Sequence, residues 1–185
     1  MIKYSKITKE DREPLTVFYE KYLNSGELIR QSIQIQFEKN AYFGYKAEDA
    51  GNGIAYFAFQ EGFAMTCPHE ELQREVTEIL GNSRYATVDA LMVANRYRGY
   101  GIAKELAKRN LFELNKRKTD YFVVEIWVYP DGSSPAKGIY ESMGEVVYSR
   151  FVPGFYKNIA HMGIGCPICG KKCVCSAVLE VIRLG

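Results

Sequence analysis

The sequence predicts an α/β fold, in which strands and helices alternate along a chain of 185 residues. The apolar, partly β-branched run at 88–93 is typical of a buried strand, and the residues from Ile102 onward switch to helical spacing. A second strong strand is predicted at 121–129. A chain that is 47% hydrophobic is expected to fold, and its length suits one domain with a sizeable core.

The N-terminal part is predicted to hold one strand and two helices. Residues 2–7 are typical of a strand, and Thr8 with Asp11 three residues later is typical of a helix start. Apolar and aromatic residues then recur at helical intervals through Leu23, and a second helix is predicted at about 26–39.

A hairpin and a third helix are predicted to follow. Residues 41–47 and 53–60 alternate as paired strands around a turn at 48–52. A helix is predicted at about 68–80, where Gly81 and Asn82 end it. Three tyrosines of the hairpin are candidate pocket residues: Tyr42, Tyr45 and Tyr56.

Two glycines, Gly99 and Gly101, lie between the strand at 88–93 and the next helix. Because glycine has no Cβ, the backbone can turn sharply here and approach a ligand closely. The first amides of a helix have no intrahelical partner and attract anions. With Arg96 and Arg98 adding positive charge, the segment predicts a site for a pyrophosphate group.

The pattern Arg96-x-x-Gly99-x-Gly101 closely resembles the acetyl-CoA signature of the GNAT superfamily of N-acyltransferases. A dinucleotide-binding fold fits less well, because Lys104 stands where that fingerprint has a third glycine, and its acidic residue is missing from the end of a second strand. The resemblance implies that acetyl-CoA is bound by ten residues of this segment: Leu91, Met92, Val93, Arg96, Arg98, Gly99, Tyr100, Gly101, Ile102 and Ala103.

A second motif follows the strand at 121–129. A short helix is predicted here, with Ser134 as its cap and Pro135 in its first position. The segment Ser133-x-x-Ala136-x-x-Ile139-Tyr140-Glu141-x-x-Gly144 resembles the family's second motif. It departs from that motif at Glu145, which replaces an aromatic residue, and at Ser133, which replaces an asparagine and becomes the candidate pantetheine contact. The resemblance covers residues 85–152 and implies a mixed, mainly antiparallel sheet flanked by helices.

The resemblance also implies a reaction, the direct attack of a neutral primary amine on the thioester of acetyl-CoA. The developing oxyanion needs a preorganised donor, for which the backbone N–H of Val93 is the candidate. The leaving thiolate needs a proton, and Tyr140 is the candidate general acid. The first two helices are expected to frame the groove for the amine.

The general base is left open between two carboxylates. Glu125 interrupts an otherwise apolar strand, where an unpaired carboxylate is costly unless it faces a pocket. Asp89 lies on the preceding strand, closer to the position at which the family often carries an acid. Either residue could instead make a structural hydrogen bond or ion pair.

Four of the five cysteines lie within ten residues near the C-terminus. Cys166-Pro-x-Cys169-Gly resembles the metal knuckle of zinc ribbons and rubredoxins, whereas the spacing to Cys173 and Cys175 is irregular. A zinc ion bound by the first pair and two of Cys173, Cys175 and His161, an iron–sulfur cluster and a metal-free tail of reduced thiols all remain open. Cys67 is expected to be a separate free thiol. Residues 1–160 are thus predicted to form the acetyltransferase domain and 161–185 a Cys-rich tail, whose end at 177–184 forms a strand or a short helix.

The expected function is N-acetyl transfer to an amine-bearing small molecule or a peptide. The alternative is a non-catalytic module that binds or senses acyl-CoA and carries a zinc-binding interaction tail. A net charge of +2 is too small to indicate nucleic acid. The sequence shows neither a membrane span nor an apolar signal segment, so a cytoplasmic location is expected. The oligomeric state stays open.

Overall fold

The structure is a computed structural model that describes residues 1–62, 65, 69–170 and 172–185. Its strands are β1 (Lys3–Lys6), β2 (Tyr42–Asp49), β3 (Asn52–Glu61), β4 (Tyr85–Val93), β5 (Tyr121–Val128), β6 (Glu145–Val152) and β7 (Ser176–Arg183). Its α-helices are α1 (Arg12–Tyr22), α2 (Glu27–Glu38), α3 (Glu70–Leu80), α4 (Ile102–Lys116) and α5 (Lys137–Glu141). Within these described ranges, none of the helices is both long and apolar enough to cross a bilayer.

The strands form one sheet in the order β1-β2-β3-β4-β5-β7-β6. Every neighbouring pair is antiparallel except β4 and β5, which run parallel. The predicted mixed, mainly antiparallel sheet flanked by helices is therefore confirmed. The C-terminal strand β7 lies between β5 and β6, so the last residues of the Cys-rich segment are part of the central sheet.

The parallel pair β4 and β5 is joined only at its beginning. The register runs through three residue pairs, from Tyr85 opposite Tyr121 to Thr87 opposite Val123. Beyond Thr87 the two strands are no longer paired, although β4 continues to Val93 and β5 to Val128. The sheet therefore opens into a cleft between the C-terminal halves of its two central strands.

A β-bulge at Asp89 accompanies this opening. On β3, Ala58 pairs with Ala90 and Phe59 with Val88, so Asp89 is an extra residue without a partner. The bulge reverses the alternation of side chains, because Val88 and Leu91 pack in the same apolar cluster, which an unbroken strand would place on opposite faces. Ala90 instead packs with α1 and α2.

The two faces of the sheet are covered by different helices. Leu106 and Leu114 of α4 and Tyr140 of α5 pack in one apolar cluster with inward-facing residues of β3 and β5. On the opposite face, α1 and α2 cover β2 to β4, while α3 and residues 155–175 cover β5 and β7. The cleft thus has α4 and α5 on one side and α1 on the other.

The sequence predictions hold for most elements and fail at two boundaries. Thr8 and Asp11 form the predicted capping box, although at a short 3-10 turn that precedes α1. The helix predicted from Ser134 begins only at Lys137, because the Ser134 hydroxyl donates to the carbonyl of Trp127 (2.8 Å) and does not cap the helix. Pro68 and Cys67 lie outside the described residues, and α3 begins at Glu70.

Candidate active site

The cleft between β4 and β5 encloses a cavity of about 490 Å³. One end is lined by the β4–α4 connection, the middle by the two separated strands and α5, and the other end by α1 and the loop after it. The cavity includes most of the residues that the sequence singled out: Asp89, Leu91, Met92, Val93, Arg98, Gly99, Gly101, Ile102, Ala103, Glu125 and Tyr140.

The first end of the cavity lies at the N-terminus of α4. Gly99 (φ +83°) and Gly101 (φ +78°) both lie in the left-handed region that favours glycine. Gly101 caps α4, and the first turn of this 15-residue helix, Ile102 to Lys104, lines the cavity. The free amides of that turn and the helix dipole make the position suitable for a phosphate group.

The two arginines of the first motif have different surroundings. Arg98 is exposed at the rim of the cavity, where its Nε donates to the carbonyl of Val93 (3.2 Å). Arg96 lies over the ring of Tyr97, 4.9 Å from its centroid, and does not line the cavity. Tyr100 is 76% exposed and also lies outside the lining.

The backbone of Val93 turns its N–H toward the cleft. Ala94 donates its N–H to Ile54 in β3 (2.9 Å), and in an antiparallel ladder the amides of consecutive residues point to opposite edges. The Val93 carbonyl is correspondingly engaged by Arg98 rather than by β3. An unpaired strand edge that carries N–H and C=O groups therefore faces the cavity along Leu91 to Val93.

Tyr140 projects from α5 into the middle of the cavity. The side chain is 5% exposed and packs edge-on against Phe57, with 5.8 Å between ring centroids. Burial raises the pKa of Tyr140, so the phenol stays protonated at neutral pH. Ser133, the other candidate of the second motif, is exposed in the loop before α5 and lies outside the lining.

Asp89 lines the cavity at the bulge of β4. Its Oδ2 accepts a hydrogen bond from the hydroxyl of Tyr42 (2.5 Å), and its backbone carbonyl accepts one from Tyr19 (3.5 Å). Burial raises the pKa of Asp89 to about 6, although the Tyr42 hydrogen bond opposes the shift. The carboxylate is therefore predominantly ionised at pH 7 and still able to accept a proton.

Glu125 lines the same cavity from β5. Burial raises the pKa of Tyr19, and the nearby charges of Asp89 and Glu125 raise it further. The cavity therefore combines two acidic side chains with the hydroxyl of Tyr140, which suits a cationic ligand that loses a proton.

The far end of the cavity is made by residues that the sequence analysis did not assign to a site. They are aromatic, apolar or amide side chains from α1, its following loop, the end of β5 with the residue after it, and the β6–β7 connection: Tyr19, Tyr22, Leu23, Asn24, Trp127, Tyr129 and Tyr156. Asn24 is buried, and its Oδ1 has no hydrogen-bond partner in the described part of the chain. The helical spacing of Tyr19 and Tyr22 indicated only an amphipathic face, and nothing in the sequence reported what that face contacts.

The four C-terminal cysteines come together in the β6–β7 connection. The Sγ atoms of Cys166, Cys169, Cys173 and Cys175 all lie within 4.8 Å of one another, and His161 is not part of this group. All four are free thiols, and only Cys169 is partly exposed. An all-sulfur set of four suits zinc or iron.

Comparison with solved structures gives matches over the whole chain. The ribosomal-protein-S18-alanine N-acetyltransferase of Escherichia coli matches with a TM-score of 0.65 and 14% identity, covering 100% of this chain and 95% of that one. NAA60 of Arabidopsis thaliana, in complex with a bisubstrate analogue, matches with a TM-score of 0.63 and 17% identity, covering 100% of this chain and 99% of that one. The NatC complex bound to Gag peptide and CoA matches with a TM-score of 0.66 and 16% identity, covering 100% of this chain and 99% of that one. No protein-family model and no curated protein matches the sequence.

The fold and the cleft together define a class of protein. A seven-stranded sheet opens between its only parallel neighbours, and a glycine-rich turn begins a helix at the mouth of the opening. The solved structures that share this architecture include a protein of the GNAT family and several N-acetyltransferases. The chain therefore has the GNAT N-acetyltransferase fold, as its two motifs predicted.

Proposed function

We propose that this protein transfers an acetyl group from acetyl-CoA to a primary amine within the cleft between β4 and β5. The observation that carries the proposal is a single cavity that joins the α4 N-terminus to Tyr140 and to the carboxylate of Asp89. An anion site, a proton donor and a proton acceptor are thus arranged along one channel.

The coenzyme is expected to enter from the α4 side. Its diphosphate binds the amides from Gly101 to Lys104, with Arg98 and Lys104 contributing positive charge at the rim. The pantetheine chain then follows the unpaired edge of β4 from Val93 to Leu91 and hydrogen-bonds to the backbone as an additional strand would. The thioester comes to lie near Tyr140, between the two strands.

The amine approaches from the opposite side, past α1. Asp89 removes a proton from the ammonium group, and the neutral nitrogen attacks the thioester carbonyl. The N–H of Val93 stabilises the oxyanion of the tetrahedral intermediate. When the C–S bond breaks, the phenol of Tyr140 gives its proton to the CoA thiolate, and the resulting tyrosinate takes the second proton from the nitrogen. The products are the neutral amide and CoA, and Asp89 releases its proton to solvent.

Glu125 and Asn24 are proposed to position the acceptor rather than to take its proton. Glu125 attracts the ammonium into the cleft, whereas the buried Oδ1 of Asn24 offers an unused acceptor at the far end. The solved structures with this fold include one with a bound peptide and one named as the N-acetyltransferase of an alanine in ribosomal protein S18. Peptides with free N-termini are therefore the first acceptor class to test, ahead of polyamines, amino acids and aminoglycosides.

The experiment is an acceptor screen by release of CoA thiol from acetyl-CoA, with mass spectrometry of each product. An acetyltransferase releases thiol only with a suitable amine, and that amine gains one acetyl group. If acetyl-CoA binds but no amine in the four classes raises thiol release above the background of hydrolysis, the protein is a non-catalytic acyl-CoA sensor and the proposal is overturned.

A further inference from the structure

The cysteine cluster has the composition and spacing of a closed metal site. In a tetrahedral zinc tetrathiolate with Zn–S bonds of about 2.3 Å, the sulfur atoms are about 3.8 Å apart. The four Sγ atoms here lie within 4.8 Å of one another, with Cys169 and Cys175 at 3.5 Å. A small contraction would bring all four to one ion.

The first cysteine pair is already arranged as a metal-binding turn. The N–H of Cys169 points at the Sγ of Cys166 (3.4 Å), and Gly170 donates its N–H to the Cys166 carbonyl (2.9 Å). Gly170 lies in the left-handed region at φ +64°. Backbone N–H groups that point at a thiolate stabilise its negative charge before the ion arrives.

We propose that Cys166, Cys169, Cys173 and Cys175 bind one Zn²⁺ as a structural site, and that this ion holds the β6–β7 connection against the loop between α1 and α2. Four thiolates fill the coordination shell, so the ion has no open position for catalysis. Its role is instead to fix the far end of the cleft, and this second part rests on the proposed function.

The contact with the α1–α2 loop is made by backbone groups. Ser25 and Gly165 exchange two hydrogen bonds. The Ser25 N–H donates to the Gly165 carbonyl (3.1 Å), and the Gly165 N–H donates to the Ser25 carbonyl (2.8 Å). Gly26 packs so closely here that a Cβ atom at this position would lie 2.4 Å from the Gly163 carbonyl oxygen. Because Gly165 directly precedes Cys166 and Ser25 directly follows Asn24, an ordered cysteine cluster fixes a residue that lines the cavity.

A second contact runs through aromatic rings. Tyr156 donates its N–H to the Cys175 carbonyl (3.2 Å), and its ring lies 5.5 Å from that of Trp127. Both rings line the cavity. The indole N–H of Trp127 is buried without a hydrogen-bond partner among the described residues, and it lies beside Cys175. A metal-bound thiolate at Cys175 would give this N–H an acceptor.

The metal is tested on the full-length protein purified anaerobically. We expect one zinc per chain by elemental analysis, and in the cobalt-substituted protein the intense visible bands of a tetrahedral tetrathiolate. Cys169→Ser and Cys173→Ser should each lose most of the zinc. Cys67→Ser, which removes the one cysteine of the sequence that lies outside the proposed site, should keep it. Iron in place of zinc, or no metal after incubation with excess Zn²⁺, would overturn the proposal.

The structural role is tested by removing zinc from the wild-type protein with a chelator and then restoring it. Hydrogen exchange at Ser25 and Gly165 should accelerate at least tenfold in the stripped protein and recover with zinc, a readout that needs no activity. In the acetyl-transfer assay, the KM of the acceptor should rise at least fivefold while the Kd of acetyl-CoA changes less than twofold. Unchanged hydrogen exchange, or equal effects on the two substrates, would contradict the structural role. If the acceptor screen finds no substrate, the hydrogen-exchange measurement still tests this role.

Discussion

The hydroxyl of Tyr42 donates a 2.5 Å hydrogen bond to the carboxylate of Asp89 across the width of one strand. Tyr42 lies on β2 and Asp89 on β4, so the bond spans β3, and the Tyr42 ring is held by stacking on Phe37 (4.8 Å between centroids). This donor stabilises the carboxylate, whereas burial destabilises it, and the pKa of Asp89 settles at about 6. The pair adjusts a buried acid to the pH range in which a general base is useful.

The rate of acetyl transfer should depend on the ionisation of Asp89. Because the protonated acid cannot accept a proton, and the acceptor is already an ammonium ion throughout this range, kcat/KM should fall about tenfold per pH unit below pH 6. Asp89→Asn should lose about 100-fold in kcat/KM at pH 8 and show no such dependence. If Asp89→Asn keeps the acid limb and Glu125→Gln loses it, Glu125 is the base.

Removal of the Tyr42 hydroxyl should move this acid limb to higher pH. The hydrogen bond from Tyr42 lowers the pKa of Asp89, so its loss leaves the effect of burial unopposed. Tyr42→Phe keeps the ring that stacks on Phe37. The pH profile of kcat/KM is the measurement, and Tyr56→Phe, a buried tyrosine outside the cavity lining, is the control expected to leave the limb in place. A shift to lower pH in Tyr42→Phe would contradict this account.

Asp89 should reduce the stability of the free protein at neutral pH. The pKa of Asp89 is about 6 in the folded chain against an ordinary value of 3.8, so the folded state binds more protons between these values. Asp89 therefore contributes to the free energy of unfolding at low pH, and this contribution is lost as the pH rises through 6. Asp89→Asn should therefore unfold at a higher denaturant concentration than wild type at pH 8. The gain in the free energy of unfolding should be at most about 3 kcal/mol, since one pKa unit is about 1.4 kcal/mol, and it should vanish near pH 4. A less stable variant at pH 8 would show that the carboxylate is stabilising.

Tyr140→Phe should slow the chemical step without weakening coenzyme binding. The change keeps the ring that packs against Phe57 and removes only the hydroxyl that we propose as the proton donor. We expect kcat to fall about 100-fold, with the Kd of acetyl-CoA changed less than twofold. Tyr129→Phe removes another hydroxyl from the cavity lining and should change kcat less than threefold. Equal losses in both variants would rule out a specific proton donor.

The turn before α4 can be tested with a pair of glycine variants. Gly101 and Gly51 have nearly the same φ, +78° and +80°, and a Cβ atom at either position meets nothing within 4 Å. Gly101→Ala and Gly51→Ala should therefore each lose about 1 kcal/mol of unfolding free energy from backbone strain. Only Gly101→Ala, at the start of α4, should raise the Kd of acetyl-CoA, by tenfold or more. A matched rise in Gly51→Ala, at the β2–β3 turn, would mean that the effect is global.

The part of the site that the sequence predicts well is local. The strand, the two glycines and the first turn of α4 are consecutive residues, so their arrangement follows from backbone propensities and from the pattern around Gly99 and Gly101. Tyr140 is also identified within a short segment, through the resemblance of residues 133–144 to the family's second motif. Of the eleven residues assigned to the coenzyme, eight line the cavity, and the exceptions are Arg96, Tyr100 and Ser133.

The part that the sequence does not predict depends on long-range pairing. The bulge at Asp89 cannot be predicted from alternating side chains, because it is defined by which residues of β3 pair with those on either side of Asp89. The placement of β7 between β5 and β6 brings Tyr156 and the cysteines beside Trp127, although they are distant in sequence. Ser134 failed as a helix cap for the same reason, since its hydroxyl is used by a carbonyl of β5.

The most direct measurement of the central claim is the crystal structure of the protein with acetyl-CoA bound. We predict the diphosphate on the amides of residues 101–104, the pantetheine chain along the free edge of β4, and the thioester sulfur within hydrogen-bonding distance of the Tyr140 hydroxyl. Coenzyme bound outside the cleft between β4 and β5, or bound with its sulfur remote from Tyr140, would contradict the account.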